Sequence, residues 1–373
     1  FKHMKYYIIA GEASGDLHGS NLMKALYEED PNADIRFWGG DLMQNVGGTL
    51  VKHYRELAFM GFIEVIFNLK TILNNITICK NDITQFKPDV IIYIDYPGFN
   101  MRIAKWAKQV GYKNHYYISP QIWAWKENRI TAIKHDIDKM YVILPFEKDF
   151  YEIKHKFPVE FVGHPLIDAI HNQSGVDANT FRAENHLSEK PIIAILPGSR
   201  KQEISKMLSV MLSVVKDFPD YQFVIAGAPS QELSFYQQFI SGENIKFVSN
   251  KTYALLRNAT AALVTSGTAT LETALFKVPE VVCYKGSWAS YQIAKRIITL
   301  KYISLVNLIM DREVVTELIQ DDCSTKRIRE ELTKILEPNY RKTLLENYDL
   351  LEEKLGGIGA SKKTAHLIVD AIK

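Results

Sequence analysis

KYYIIAGEASGD, residues 5–16, sets the architecture of this chain. A short apolar run, 6–10, reads as a buried strand and breaks at once into the small-residue turn 11–16. A helical pattern follows, with Leu22, Met23, Leu26 and Tyr27 on one side. Strand, glycine turn and helix place a ligand site at the carboxyl edge of a parallel sheet, where helix N-termini point their amides outward. The turn carries neither G-x-G-x-x-G nor a following G-K-[ST], so it marks a site without naming a nucleotide.

From that unit the pattern extends through the chain. Strand-like runs fall at 6–10, 35–38, 90–94, 116–118, 141–144 and 160–162, with helical stretches between them, such as 102–110 and 128–135. The pattern restarts after Gly163-His164-Pro165, with runs at 192–196, 222–226, 246–248, 262–265, 281–284 and 303–306. Most are continuously apolar, as parallel strands covered on both faces require. Two βα arrays predict an α/β protein of two doubly wound, Rossmann-like domains with a cleft between them. The expected boundaries are 1–165, 166–340 and a helical tail, 341–373, that packs back across the cleft or onto a second subunit.

Composition narrows the function. The 373 residues are 47% apolar and 24% charged, which is globular. Lysine plus arginine number 45 against 43 acids, a net charge of +2, so nothing recommends nucleic acid as a partner. Cys79, Cys283 and Cys323 are far apart and odd in number, which favours a reducing compartment over a disulfide framework. Lys5 leads straight into a strand, so no secretory leader is expected after Met4, and no apolar run of spanning length occurs.

Four segments carry candidate chemistry. Asp95 closes the run VIIYID before a Pro-Gly turn, where an acid reads as a general base or as a helix cap. In ILPGSR, Gly198 and Ser199 lead to Arg200, whose guanidinium matches diphosphate oxygens. Ser266-Gly267-Thr268 opens a helix that favours an anion, and Glu272, one turn in, suits ribose hydroxyls. Asn307 is a weaker candidate for the same anion. Asp136-Ile137-Asp138 precedes a strand and lacks a third ligand, so no metal site is expected there. His18, His115 and His164 lack partners at ligand spacing and read as structural. In 59–86, Phe62, Ile66, Leu69, Leu73, Ile76, Ile83 and Phe86 describe one buried stripe, while Ile63, Val65, Phe67 and Ile72 lie off it. That excess fits either a helix buried on two sides or an exposed patch for acyl chains or a membrane surface.

Taken together, GEASGD at 11–16, LAFMGFIEV at 57–65, KPDVIIYIDYPGFN at 87–100, YISPQIWAWKENR at 117–129, LPFEKDFY at 144–151, FVGHPLID at 161–168, LPGSRKQEI at 196–204, SGTATLE at 266–272 and YISLVNLI at 302–309 resemble the lipid-A-disaccharide synthases over almost all of 4–370. That resemblance implies a glycosyltransferase B-type fold. The implied reaction joins UDP-2,3-diacylglucosamine to 2,3-diacylglucosamine 1-phosphate, with inversion and without a metal or other cofactor. It implies Asp95 as base, Arg200 as the essential arginine, Asn307 as the motif asparagine and Glu272 on the ribose. At Gly98 other members often carry a second acid, so Asp95 stands alone here. The turn 11–16 is then the acceptor side, through Glu12, Ser14, Gly15 and Asp16. Acyl or membrane contact falls to Phe59, Met60, Phe62, Ile63 and Ile66. The expected location is cytoplasmic, peripheral on the inner membrane, with a homodimer through the C-terminal helices as one option. The rival readings are another UDP-N-acetylglucosamine transferase or epimerase of this fold, and a non-catalytic sugar-nucleotide-binding protein.

Overall fold

The computed structural model describes residues 3–57, 69–124, 126–173, 175–228, 231–242, 244–265, 267–286 and 301–373. Two compact units result. One comprises 1–171 together with 355–373, and the other is 172–354. The first boundary thus falls six residues later than the sequence indicates. The tail does not form a separate piece either. Helix Pro338–Lys354 belongs to the second unit, and helix Ala360–Ile372 packs on helix Ala13–Glu29 of the first.

The first unit is built on seven parallel strands: β1 (Lys5–Ala10), β2 (Asp34–Gly39), β3 (Thr49–His53), β4 (Val90–Ile94), β5 (Asn114–Tyr117), β6 (Lys139–Val142) and β7 (Glu160–Phe161). Their order is β3-β2-β1-β4-β5-β6-β7. Tyr6 pairs with Ile35 on one side and Val90 on the other, so β1 is central. β1 and β4 are buried almost throughout, as helices on both faces demand. Two of the buried tyrosines have partnered hydroxyls: Trp38 Nε1 donates to Tyr7 Oη at 2.8 Å, and Tyr93 Oη donates to Asn114 Oδ1 at 2.7 Å.

The second unit holds β8 (Ile192–Leu196), β9 (Gln222–Gly227), β10 (Ile245–Ser249), β11 (Ala259–Thr265), β12 (Glu280–Tyr284) and β13 (Thr316–Ile319), in the order β10-β9-β8-β11-β12-β13, all parallel.

Sequence and structure part in three places. β3 is a half-exposed edge strand whose short, mixed composition gave no run to detect. The expected strand at 303–306 is instead the entry to helix Leu305–Met310, capped by Ser304 Oγ accepting from the Asn307 amide at 3.2 Å. The sixth strand is β13, where TELI has too few apolar residues to stand out. Finally, helix Leu69–Phe86 buries Ile76, Cys79 and Ile83, but Leu69 and Leu73 are each 51% exposed, not buried. At 100° per residue, Leu73 lies about 90° off the core-facing direction, so its spacing only approximates the stripe.

Candidate functional site

In both sheets the strand order reverses at one point, between β1 and β4 and between β8 and β11. Chains leaving the two strands diverge there, which opens a crevice at their carboxyl ends. The turn 11–16 and Asp95 flank the first reversal. The 197–200 turn and Gly267-Thr268 flank the second.

Asp95 follows β4 directly and is half-buried. Burial, and then the nearby Glu12 carboxylate, raise its pKa to about 6, against a lowering contribution from the Tyr96 amide. Its backbone is left-handed (φ 45°), as is that of Tyr96 (φ 52°). Gly11 lies under the Tyr96 ring: a Cβ at 11 would come within 2.3 Å of it, so only glycine fits. Glu12, the residue before helix Ala13–Glu29, is exposed, as is Ser14.

Gly15 and Asp16, expected on the acceptor side, are both buried in this structure and engaged within their own unit. A Cβ at Gly15 would meet the Ala10 Cβ at 3.1 Å, so this glycine serves close helix–strand packing. Asp16 is 3% exposed, and its carboxylate accepts from the amides of Gly40 (2.8 Å), Met43 (3.0 Å) and Leu42 (3.1 Å). It therefore caps the short helix Asp41–Val46 from across the unit.

In the second unit Gly198 has φ 98°, and a Cβ there would collide with Glu203, whose Oε1 accepts from the Ser199 amide at 3.1 Å. The exposed Arg200 is the N-cap of helix Lys201–Leu212. Across the reversal, Thr265 Oγ1 donates to the Leu196 carbonyl at 3.0 Å and ties the ends of β11 and β8 together. Gly267 (φ 125°) has open space beside it, and Thr268, also exposed, begins helix Thr268–Leu275. Glu272 is half-buried beside Tyr253, and burial lifts its pKa to about 6. Ser266 lies outside the described residues, as do Phe59, Met60, Phe62, Ile63 and Ile66.

Asn307, expected to reach the same anion, is packed into its own unit in this structure. It is 0% exposed, and its side chain is occupied on every side. Oδ1 accepts from the Val314 and Val315 amides (2.8 and 3.0 Å), while Nδ2 donates to the Val315 carbonyl (2.9 Å) and Glu317 Oε2 (3.1 Å). Glu317, unmarked in the sequence, also accepts from the Ile303 and Ser304 amides. Asn307→Ala is expected to lower stability by about 2–4 kcal/mol, since it strands several buried partners. Thermal unfolding checks this, and an unchanged midpoint would return Asn307 to the ligand.

Among the discounted groups, Asp136, Asp138 and His115 have side-chain partners. Asp136 pairs with His135 (2.6 Å), and Asp138 accepts from Lys108 Nζ and the Asn114 amide. His115 meets Tyr141 Oη at 3.0 Å. Burial holds His18, His115 and His164 neutral, with pKa values of about 4, about 4 and about 3.

With this geometry in hand, comparison with known proteins is decisive. The model of a family described as lipid-A-disaccharide synthetase matches residues 6–368. The chain belongs to that family. Lipid-A-disaccharide synthases of similar sequence include those of Syntrophus aciditrophicus (38% identical, covering 98% of this chain and 97% of that one) and Geobacter sulfurreducens (36%, covering 98% and 96%). Among solved structures, the UDP-GlcNAc 2-epimerase of Neisseria meningitidis bound to UDP-GlcNAc matches with TM-score 0.66 at 13% identity, covering 99% of each chain. The kitacinnamycin glycotransferase matches with TM-score 0.68 at 12%, covering 100% of each. At such identities the likeness is one of fold. The synthase family thus has the glycosyltransferase B-type fold here, two doubly wound parallel-sheet domains.

Proposed function

We propose that the chain transfers the sugar of UDP-2,3-diacylglucosamine to the 6-hydroxyl of 2,3-diacylglucosamine 1-phosphate, giving the β(1→6) disaccharide 1-phosphate and UDP. Family membership supports this reading. The observation that carries the chemistry is Asp95: a half-buried carboxyl at a strand-order reversal, with its pKa raised to about 6. It is ionised at neutral pH yet basic enough to take a hydroxyl proton as the glycosidic bond forms. Inversion follows from attack on the anomeric carbon opposite the leaving diphosphate.

Glu12, whose carboxylate acts on Asp95, and Ser14 are exposed polar groups of the 11–16 turn that suit acceptor hydroxyls. On the donor unit Arg200 supplies the cation for the diphosphate, and the 198–199 turn and the helix start at Gly267-Thr268 supply amides. Glu272 takes the ribose. Incubation with both acylated glucosamines and mass spectrometry of the products tests the reading, and UDP release without disaccharide would overturn it.

We further place the enzyme on the inner face of the inner membrane through residues 59–66, with lipid substrates as the reason. No described helix is long and apolar enough to cross a membrane. Changing Phe62→Gln and Ile63→Gln together is expected to release the protein from anionic vesicles without lowering its unfolding midpoint. A large fall in that midpoint would assign both residues to the core. Pairing of two copies through the C-terminal helices is proposed as well, and the mass of the protein in solution tests it.

A further inference from the structure

Asp95 and Tyr96 both hold left-handed backbone, a conformation non-glycine residues adopt reluctantly and two in succession more so. Ile118, at the end of the neighbouring β5, is left-handed too (φ 60°), although a β-branched residue disfavours it strongly. The two strained corners lock onto each other. The Asp95 amide donates to the carbonyls of Tyr117 (3.3 Å) and Ile118 (3.2 Å). The Asp95 carbonyl accepts from Tyr116 Oη and from Asn100 Nδ2, both at 2.7 Å. Asn100 is fully buried, and its amide also lies 3.4 Å from the carbonyls of Ile9 and Ile94, near the carboxyl ends of β1 and β4. Behind Ile118, Ser119 Oγ donates to the buried Glu147 carboxyl at 3.1 Å, which fixes the far side of the corner.

We propose that Tyr116 and Asn100 are positioning residues that hold Asp95 in its strained corner and thereby aim its carboxyl at the acceptor hydroxyl. The proposal rests on Asp95 being the base. A relaxed turn after β4 would swing that carboxyl away from the reversal and into water, so the clamp converts packing in the sheet into placement of one proton acceptor.

Tyr116→Phe removes one hydrogen bond and leaves the ring. In the full-length chain its kcat is expected to fall about tenfold or more, with KM for the UDP-sugar unchanged. The acid limb of the kcat profile is expected to move to lower pH, because a better-solvated Asp95 loses its proton more easily. Tyr93→Phe is the control, since its buried hydroxyl serves Asn114 and not Asp95. It is expected to keep near-normal kcat at a similar loss of thermal stability. Carboxyl NMR of Asp95, assigned with Asp95→Asn, reads the same shift without turnover. An unmoved Asp95 titration in Tyr116→Phe would overturn the clamp. A moved titration together with an active Asp95→Asn would uphold the clamp and overturn the base.

Discussion

Asp95→Asn is expected to reduce turnover by about 100- to 10,000-fold, the range for loss of a general base, while UDP binding is retained. The amide is isosteric and keeps the corner intact, but it cannot accept the proton. The wild-type profile gives the complementary signature. Below the folded-state pKa of about 6, kcat/KM should fall tenfold per pH unit as Asp95 becomes protonated, and above it the rate should level off. Stability should respond in the opposite direction. The folded chain holds this proton to higher pH than an unfolded aspartate does, so ionised Asp95 opposes folding as pH rises from about 4 to above 6. Asn removes that charge, and the variant should melt at a higher temperature than wild type at pH 8. A dead but more stable enzyme is the outcome expected of a carboxylate held for chemistry. A variant with ordinary turnover would remove Asp95 from the mechanism.

Arg200→Ala is expected to lower kcat by about 100- to 1,000-fold, or roughly 3–4 kcal/mol of transition-state stabilisation. The leaving diphosphate gains charge as the sugar departs, and Arg200 stands exposed at the start of a helix whose own dipole favours that charge. Its turn is fixed from below, where Glu203 accepts from Ser199 and leaves no room for a side chain at 198. Lysine should restore little, because it lacks the planar fork that pairs with two oxygens. Steady-state kinetics with varied donor checks this, and rates within twofold of wild type would make Arg200 a surface residue.

How much of this was legible beforehand follows from burial. Parallel strands covered on both faces read as unbroken apolar runs, so β1, β4, β8 and β9 stand out in the sequence. β3 and β13, with an exposed side or with polar ligands for neighbouring backbone, do not. The placing of Asp95 and Arg200 just past strand ends was legible because a strand end followed by a glycine turn locates a sheet's carboxyl edge. Asp16 and Asn307 show why residue type alone does not assign a role: a polar side chain that satisfies backbone groups has the same letter as one that waits for a ligand. Only the donors around them distinguish the two, and those come from residues 24 to 27 positions away for Asp16. Asn100 and Tyr116 carried no signal at all, since their partners are main-chain atoms.

The terminal helix carries a consequence for biosynthesis. Ala360–Ile372 covers the first helix of the chain, Ala13–Glu29, and Asp168 receives the Gly359 and Ser361 amides at its entry (2.7 and 3.0 Å). Nothing made early on the ribosome can supply that cover. The whole of 172–354 must be translated first, a delay on the order of 10–40 s at about 5–20 residues per second. The nascent first unit therefore spends that interval with one apolar flank uncovered, and it is the second unit, contiguous in the chain, that is free to finish folding first.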